Sequence, residues 1–224
     1  MNLSIIIPAF NAEHFIQTNI QKLIDKFNDS EIIVVNDGSF DKTLEQLAIF
    51  NNRIKIINHS KNLGKGAAIR HGFDLATGDI IIFTDADLPY GLENIAKLYE
   101  QFQTTSSDIV IGYRHRFQDS FLRNVTHSAI NIIIRLLFWW DIYDTQCGLK
   151  GFKKTFIDKV KDKMCINNFT IDIELLRLAQ IHHQKISKLP VVMNTTKNTT
   201  TIKLKDVIIM FFDILKIRFN KNYF

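Results

Sequence analysis

Glu31-Ile32-Ile33-Val34-Val35-Asn36-Asp37-Gly38-Ser39 is the stretch from which the fold is read. Four apolar residues in a row stop at a cluster of turn formers. A run that is apolar at every position, rather than at alternate ones, marks a strand covered on both faces, as in a parallel sheet. The same pattern recurs on either side. Leu3–Ile7 is an apolar run closed by Pro8, and Asp79–Thr84 leads into Asp85-Ala86-Asp87. Helical spacing fills the gaps. Ala12–Phe27 carries Phe15, Ile16, Ile20, Leu23, Ile24 and Phe27 at helical intervals, and Lys42–Phe50, Ala67–Ala76 and Leu92–Phe102 read as further helices. Ile54–Ile57 and Asp108–Gly112 read as strands. This β-α-β alternation predicts an α/β protein with a doubly wound, Rossmann-like sheet. Ligands of such sheets bind beyond the carboxyl ends of the strands, where Asn36–Ser39 and Asp85–Asp87 fall.

The second half has a different texture. Val125–Trp140 is strongly apolar and is followed by the polar group Asp144-Thr145-Gln146-Cys147-Gly148. Lys154–Lys163 and Ile171–His182 are expected as helices and Lys185–Pro190 as a strand. Asn194–Thr201, rich in Asn and Thr, reads as a linker before an amphipathic helix over Lys203–Phe219. The expected organisation is one domain over 1–193, divided into 1–115 and 116–193, with 194–224 as linker and membrane-associated helix.

Composition narrows the function classes. The 224 residues, 46% of them hydrophobic, suffice for a domain with its own core. A formal charge of +5 fits nucleic acid, an anionic membrane or a phosphate-bearing substrate. The basic residues concentrate near apolar segments instead of interleaving with a stacking surface, so nucleic acid is not the expected partner. The two cysteines, Cys147 and Cys165, form no metal-binding spacing and suggest a reducing compartment. No secretory leader is read at the first residues, and no apolar run reaches the length of a spanning helix.

Three polar clusters carry the chemistry. Residues two apart on extended backbone point the same way, so Asp85 and Asp87 set two carboxylates together. They repel unless a cation lies between them, and Mg²⁺ or Mn²⁺ is the hard ion that shares such oxygens with substrate phosphates. An exposed acidic turn is the plain alternative. Asp37, at the end of its strand, suits a base or ribose, or else caps the next helix. Asn62-Leu63-Gly64-Lys65-Gly66 opens a helix whose backbone N–H groups are positioned to face phosphate, or simply forms a turn. It is neither a P-loop nor G-x-G-x-x-G.

Taken together, these pieces resemble glycosyltransferase family 2. The resemblance rests on Ile5-Ile6-Ile7-Pro8-Ala9-Phe10-Asn11, Val34-Val35-Asn36-Asp37-Gly38-Ser39, Asn62-Leu63-Gly64-Lys65-Gly66 and Asp85-Ala86-Asp87, in that order. It implies a GT-A fold, a nucleotide-diphosphate sugar donor such as UDP-glucose or GDP-mannose, a divalent metal, and inversion at the anomeric carbon. It implies donor contacts from Pro8, Phe10, Asn11, Asp37, Gly38, Ser39, Lys65, Asp85 and Ala86, with Asp85 and Asp87 on the metal. Asp144-Thr145-Gln146-Cys147-Gly148-Leu149-Lys150 is similar to the D-T-Q-C-G-[FL]-K motif of the dolichyl-phosphate glucosyltransferase branch. Phe169–Leu176 is similar to the F-D-V-E-L-L segment that follows it there, and Gly112-Tyr113-Arg114 takes the place of a G-S-R element. Departures are Phe10 and Ala12 where Tyr and Glu are frequent, and Pro89 where mannosyl members carry a Gln that ligates metal.

The expected reaction is therefore transfer of a hexose, glucose before mannose, to a polyprenyl phosphate. Such an acceptor is already an anion and needs cations rather than a general base. Arg114, Arg123 and Lys150 are the candidates, with His127 one helical turn beyond Arg123 and Gln146 beside them. Asp87, Arg114 and Arg123 are the expected catalytic residues. Were the acceptor a sugar hydroxyl, Asp172 or Glu174 would be the candidate base. A silent sugar-nucleotide-binding scaffold is the alternative from another class. Val125–Trp140, at about 24 Å of helix, is short for a bilayer core of about 30 Å and fits an interfacial or buried helix. Lys203–Lys221 mixes large apolar residues with lysines and suits an anionic surface. The expected location is peripheral, on the cytoplasmic face of a membrane, with a homo-oligomer left open.

Overall fold

The computed structural model describes residues 1–114, 134, 137–138, 144–193 and 204–223, with the side chains of 204–207 excepted. Arg123, His127 and most of 125–140 lie outside the described residues. β1 (Leu3–Ala9), α1 (Ile16–Lys26), β2 (Glu31–Asn36), α2 (Thr43–Ala48), β3 (Lys55–Asn58), α3 (Lys65–Leu75), β4 (Ile80–Phe83), α4 (Gly91–Thr104) and β5 (Ile109–Arg114) follow the predicted alternation. β6 (Lys150–Lys153), α5 (Lys154–Val160), α6 (Ile171–Ile181), β7 (Ile186–Val191) and α7 (Leu204–Phe219) come after, with 3₁₀ turns at Lys161–Lys163 and Lys221–Tyr223.

The described strands form one mixed sheet in the order β3-β2-β1-β4-β6-β5-β7. β1 pairs in parallel with β2 on one side and β4 on the other, so the winding reverses at β1. Alternate residues feed two cores. Ile6, Ile33, Val35, Ile81 and Phe83 pack on one face with α3, α5 and α6. Ile5, Ile7, Ile32, Val34, Ile80 and Ile82 pack on the other with α1 and α4. Both faces are covered, which is why these strands read as unbroken apolar runs.

Three elements differ from the sequence reading. β6 was not expected, because Lys150-Gly151-Phe152-Lys153 shows no apolar run; it lies antiparallel between β4 and β5, with Lys150 wholly buried. α1 starts at Ile16 and not at Ala12. The N–H groups of Ala12 and Glu13 are instead taken by Thr43 Oγ1 at 2.7 Å and Asp41 Oδ2 at 3.1 Å, which hold a turn open at the end of β1. α7, set apart in the sequence as an appendage, lays Met210, Ile214 and Ile217 against the domain, with Ile214, Ile217 and Tyr223 in the same core as α6.

Glu31 ties the start of the sheet together. It accepts from Ser4 Oγ, from Thr77 N at 2.8 Å and Thr77 Oγ1 at 3.0 Å, and from Lys55 Nζ at 2.5 Å. Burial pushes its pKa up, but these donors outweigh burial and hold it below the usual glutamate value. A depressed pKa stabilises the fold above the unfolded-state value and ceases to do so as pH falls through the folded one. Glu31→Gln is therefore expected to cost about 1 kcal/mol at neutral pH, given its partial exposure. In denaturant titrations the difference from wild type should vanish in acid, where both side chains are neutral.

Candidate active site

The reversal at β1 opens a crevice at the carboxyl ends of β1, β2 and β4. Pairing of Ala9 with Asn36 and of Ile6 with Phe83 brings Phe10–Asn11, Asp37–Ser39 and Thr84–Asp87 to its rim. Two residues there hold left-handed backbone without being glycine, Asn11 at φ 49° and Leu88 at φ 49°. Such conformations cost of order 1 kcal/mol and persist where surrounding bonds over-determine them. The Asn11 N–H donates to Ser39 Oγ at 2.9 Å, Asn11 Oδ1 accepts from Phe40 N at 3.1 Å, and Ser39 Oγ donates to Asn36 Oδ1 at 2.5 Å. Phe10 and Phe40 meet edge to face at 5.9 Å on the outer lip. Pro8, half-buried, is the next-to-last residue of β1.

Asp37 is buried and almost saturated. Its Oδ1 accepts from Leu63 N at 2.8 Å and His59 Nδ1 at 2.7 Å, and its Oδ2 accepts from Gly64 N at 2.8 Å. One lone pair on Oδ2 stays open of the four a carboxylate offers. His59 Nε2 lies 2.8 Å from His71 Nδ1, a pair absent from the sequence reading. With Nδ1–H committed to Asp37, a neutral His59 accepts from His71. Burial first, then His59, lowers the His71 pKa and favours a neutral His71. His59 directly follows β3, and its place at a strand end was the signal available.

The loop before α3 corrects one expectation. The N–H groups of Leu63 and Gly64 go to Asp37, and those of Gly66 and Ala67 go to the Asn167 carbonyl at 2.8 and 3.2 Å. These amides are consumed inside the protein and do not face a phosphate. What α3 presents is Lys65, whose Nζ lies 2.5 Å from Asp85 Oδ1. Burial works against the Lys65 ammonium, but Asp85 and Asp172 outweigh it and keep its pKa above the ordinary lysine value.

Asp85-Ala86-Asp87 is held by Asn19 Nδ2 on the Ala86 carbonyl at 2.9 Å and by a turn from Leu88 N to Asp85 O at 3.0 Å. Asp87 has no ion-pair partner among the described residues. Its pKa is raised, first by burial and then by Asp85. A pair of hard oxygen donors of which only Asp85 has an ion-pair partner, Lys65, fits Mg²⁺ or Mn²⁺ completing its shell with phosphate oxygens and water. The described residues contain no group of three His, Cys, Asp or Glu side chains, so the protein would supply only part of that shell.

The second half closes on these carboxylates. Gly148 lies against Asp85: a Cβ at residue 148 would stand 2.1 Å from Asp85 Oδ2. Tyr90 Oη receives the Gly148 N–H at 3.4 Å. Asp144 takes both arms of Arg114, from Nε and from a terminal nitrogen at 2.8 Å each, and the Arg114 backbone N–H at 3.0 Å. Burial raises the Asp144 pKa, but Arg114 outweighs it and leaves the carboxylate ionised. Gln146 is half-buried beside Cys147. Lys150, expected to meet the acceptor, points inward: its Nζ lies 2.5 Å from Asp172 Oδ1 and 2.5 Å from the Cys147 carbonyl. Glu174 accepts from Cys165 N, Ile166 N and Tyr223 Oη. Both acids considered as bases for a sugar hydroxyl are thus occupied.

Comparison with known proteins settles the family. The sequence profile described as Glycosyl transferase family 2 matches residues 4–170. The chain belongs to that family. It is 27% identical to Glycosyltransferase AglD of Haloferax volcanii over 96% of its own length, but spans only 37% of that relative. It is 30% identical to a dolichyl-phosphate beta-glucosyltransferase of Trichomonas vaginalis, covering 96% of this chain and 72% of the other. Among solved structures, glucosyl-3-phosphoglycerate synthase of Mycobacterium tuberculosis bound to UDP superposes with a TM-score of 0.76 at 16% identity, over 99% of this chain and 80% of that one. This family 2 chain therefore has the GT-A fold. Other crystals of the same synthase hold UDP with Mn²⁺ or Mg²⁺.

The contact between Gly148 and Asp85 joins the two halves of the site and is testable. Gly148→Ala should destabilise the fold by about 1–3 kcal/mol, the range for overpacking a tight site. Asp85→Ala in the same chain should recover part of that loss, giving a coupling above about 0.5 kcal/mol in a double-mutant cycle. Additive losses in urea unfolding would show that the Asp85 carboxylate is not packed on residue 148.

Proposed function

We propose that this family 2 enzyme transfers a hexose, glucose first among candidates, from a nucleoside-diphosphate sugar to a polyprenyl phosphate at a membrane surface. The observation that carries the reading is the packing of the 144–150 segment on Asp85, with Arg114 clamped by Asp144 at its edge. One side of the crevice is acidic and suited to a metal-bound diphosphate. The other side is an arginine suited to a second phosphate. Similarity to the dolichyl-phosphate beta-glucosyltransferase over most of both chains supports the acceptor class.

In this reading Asp37 offers its remaining acceptor site to the nucleoside, and the rim of Phe10, Asn11, Gly38 and Ser39 shapes the base pocket. Asp85 and Asp87 would hold Mg²⁺ or Mn²⁺, which would supply positive charge to the departing diphosphate. Lys65 steadies Asp85. Arg114 and Arg123 draw the acceptor phosphate toward the anomeric carbon, against its repulsion from the donor. The attacking oxygen is already anionic, and the occupied state of Asp172 and Glu174 favours that acceptor over a sugar hydroxyl.

The membrane part of the reading is supported by α7. Its inner face is buried, yet Ile208, Ile209, Phe211, Phe212 and Phe219 are exposed on the outside, near Lys216 and Arg218. A helix apolar on both sides wants more than one protein face to cover it. No helix among the described residues is long and apolar enough to cross a membrane, so α7 would lie along the surface.

The decisive assay pairs UDP-glucose, UDP-galactose, GDP-mannose and UDP-N-acetylglucosamine with undecaprenyl and dolichyl phosphate. Label is expected in a lipid-extractable, mild-acid-labile product. It should be abolished by EDTA or Asp87→Ala and restored to the wild type by Mn²⁺ or Mg²⁺. Turnover persisting in EDTA would remove the metal from the mechanism, and label appearing only on a saccharide would overturn the acceptor. Arg114→Ala and Arg123→Ala should each weaken use of lipid phosphate about ten- to a hundredfold while sparing donor affinity, since a charged phosphate contact is worth about 1.5–3 kcal/mol.

Vesicle sedimentation tests the surface. Replacing Phe211 and Phe212 by Ser should weaken binding to anionic vesicles about tenfold or more, each buried aromatic being worth about 1.5–3 kcal/mol. Thermal stability should stay near wild type, because both rings are exposed. Unchanged sedimentation would reject α7 as the anchor.

A further inference from the structure

We propose that Tyr223 is a positioning residue for the donor site, acting on Lys65 through Glu174 and the loop 165–168. The proposal rests on the donor-site reading above.

Tyr223 is fully buried, and its hydroxyl donates to Glu174 Oε1 at 2.5 Å. Burial first, then Glu174, pushes the Tyr223 pKa up, so this hydroxyl remains a donor. The same Oε1 accepts from Cys165 N at 2.7 Å, and Oε2 accepts from Ile166 N at 3.2 Å. No cation pairs with Glu174 among the described residues. This buried carboxyl is held by hydrogen bonds alone, so losing one donor loosens the others.

The loop so held is the one that caps α3. Asn167 offers its carbonyl to Gly66 and Ala67, and Arg70 grips Asn167 Oδ1 at 2.6 Å and the Ile166 carbonyl at 3.3 Å. The fit has no slack. A Cβ on Gly64 would meet the Asn167 carbonyl at 2.2 Å, and one on Gly66 the Ile166 carbonyl at 2.4 Å. A shift of the loop therefore passes into the first turn of α3, whose first residue is Lys65 on Asp85. The turn that carries Tyr223 follows directly on α7, so the helix assigned to the membrane also braces the donor site.

Tyr223→Phe keeps the ring and removes the hydroxyl; Glu174→Gln keeps the shape and removes the charge, and serves if the first variant does not fold. In either folded variant, hydrogen exchange at the Gly66 and Ala67 amides should quicken about five- to tenfold, with exchange at Ile6 and Val34 unchanged. By calorimetry, affinity for UDP with Mn²⁺, and for GDP in parallel, should fall about three- to tenfold, while KM for lipid phosphate stays put. Unaltered exchange at Gly66 and Ala67 overturns the coupling. Faster exchange with unaltered nucleotide affinity reduces Tyr223 to a structural role and overturns the positioning. A wild-type chain that binds neither nucleotide overturns the donor reading itself, and this is distinguishable because the exchange comparison needs no ligand.

Discussion

Beyond the end of β4 charge alternates from a half-buried Asp85 and Lys65 to a fully buried Asp172 and Lys150. Lys65 is salt-bridged to Asp85 and lies within the field of Asp172, which is salt-bridged to Lys150. The two ammonium groups sit 6.0 and 5.9 Å from the ring of Phe83, one from α3 and one from β6. A charge taken out of water costs several kcal/mol unless an opposite charge and hydrogen bonds meet it. The Lys150–Asp172 pair is therefore tolerable only with both members in place. The ends of four elements, β4, α3, β6 and α6, are tied together by these contacts. The antiparallel insertion of β6 between β4 and β5 places Lys150 on its counter-ion Asp172.

The same economy of charge leaves Asp87 as the exception. Asp85 has Lys65, Asp144 has Arg114, Asp172 has Lys150, and Asp37 has two backbone N–H groups and His59. Asp87 alone among these site acids lacks an ion-pair or side-chain partner in the described residues, and burial first, then Asp85, raises its pKa. A carboxylate kept short of compensation at the mouth of a crevice is suited to a cation that arrives with its ligand. The rigid surroundings serve this purpose. Left-handed backbone at Asn11 and Leu88, the clamp of Asp37 on the 63–64 amides, and Asn19 on Ala86 all fix the rim before any ligand comes. Binding then costs little ordering of the protein.

α7 joins two demands that are usually separate. Its inner residues Met210, Ile214 and Ile217 complete the core, and the turn after it inserts Tyr223 beside Glu174. Its outer residues remain apolar and exposed. Removing this helix would open the core as well as strip a surface, so single substitutions on the outer face are the informative ones.

Much of this was legible in the residues alone. The unbroken apolar runs at Leu3–Ile7, Ile32–Val35 and Ile80–Phe83 announced a sheet covered on both faces, because only double burial makes every position of a strand apolar. The polar clusters at their carboxyl ends marked the crevice, and Asp85 and Asp87 stood out as a pair by spacing, although the chain carries them on the turn from Asp85 to Leu88 and not on extended backbone. What the tertiary structure decided was where each polar group finds its partner. Lys150 read as a free cation and is buried on Asp172. The amides of Leu63, Gly64, Gly66 and Ala67 read equally as a phosphate cradle or a plain turn, and are consumed by Asp37 and Asn167. Glu174 read as a base for a sugar hydroxyl or as a residue that holds the fold, and it accepts from Tyr223, 49 residues away. Local sequence sets burial preference and backbone period, but the compensation of a buried charge is a contact between distant segments, and it exists only once the chain has closed on itself.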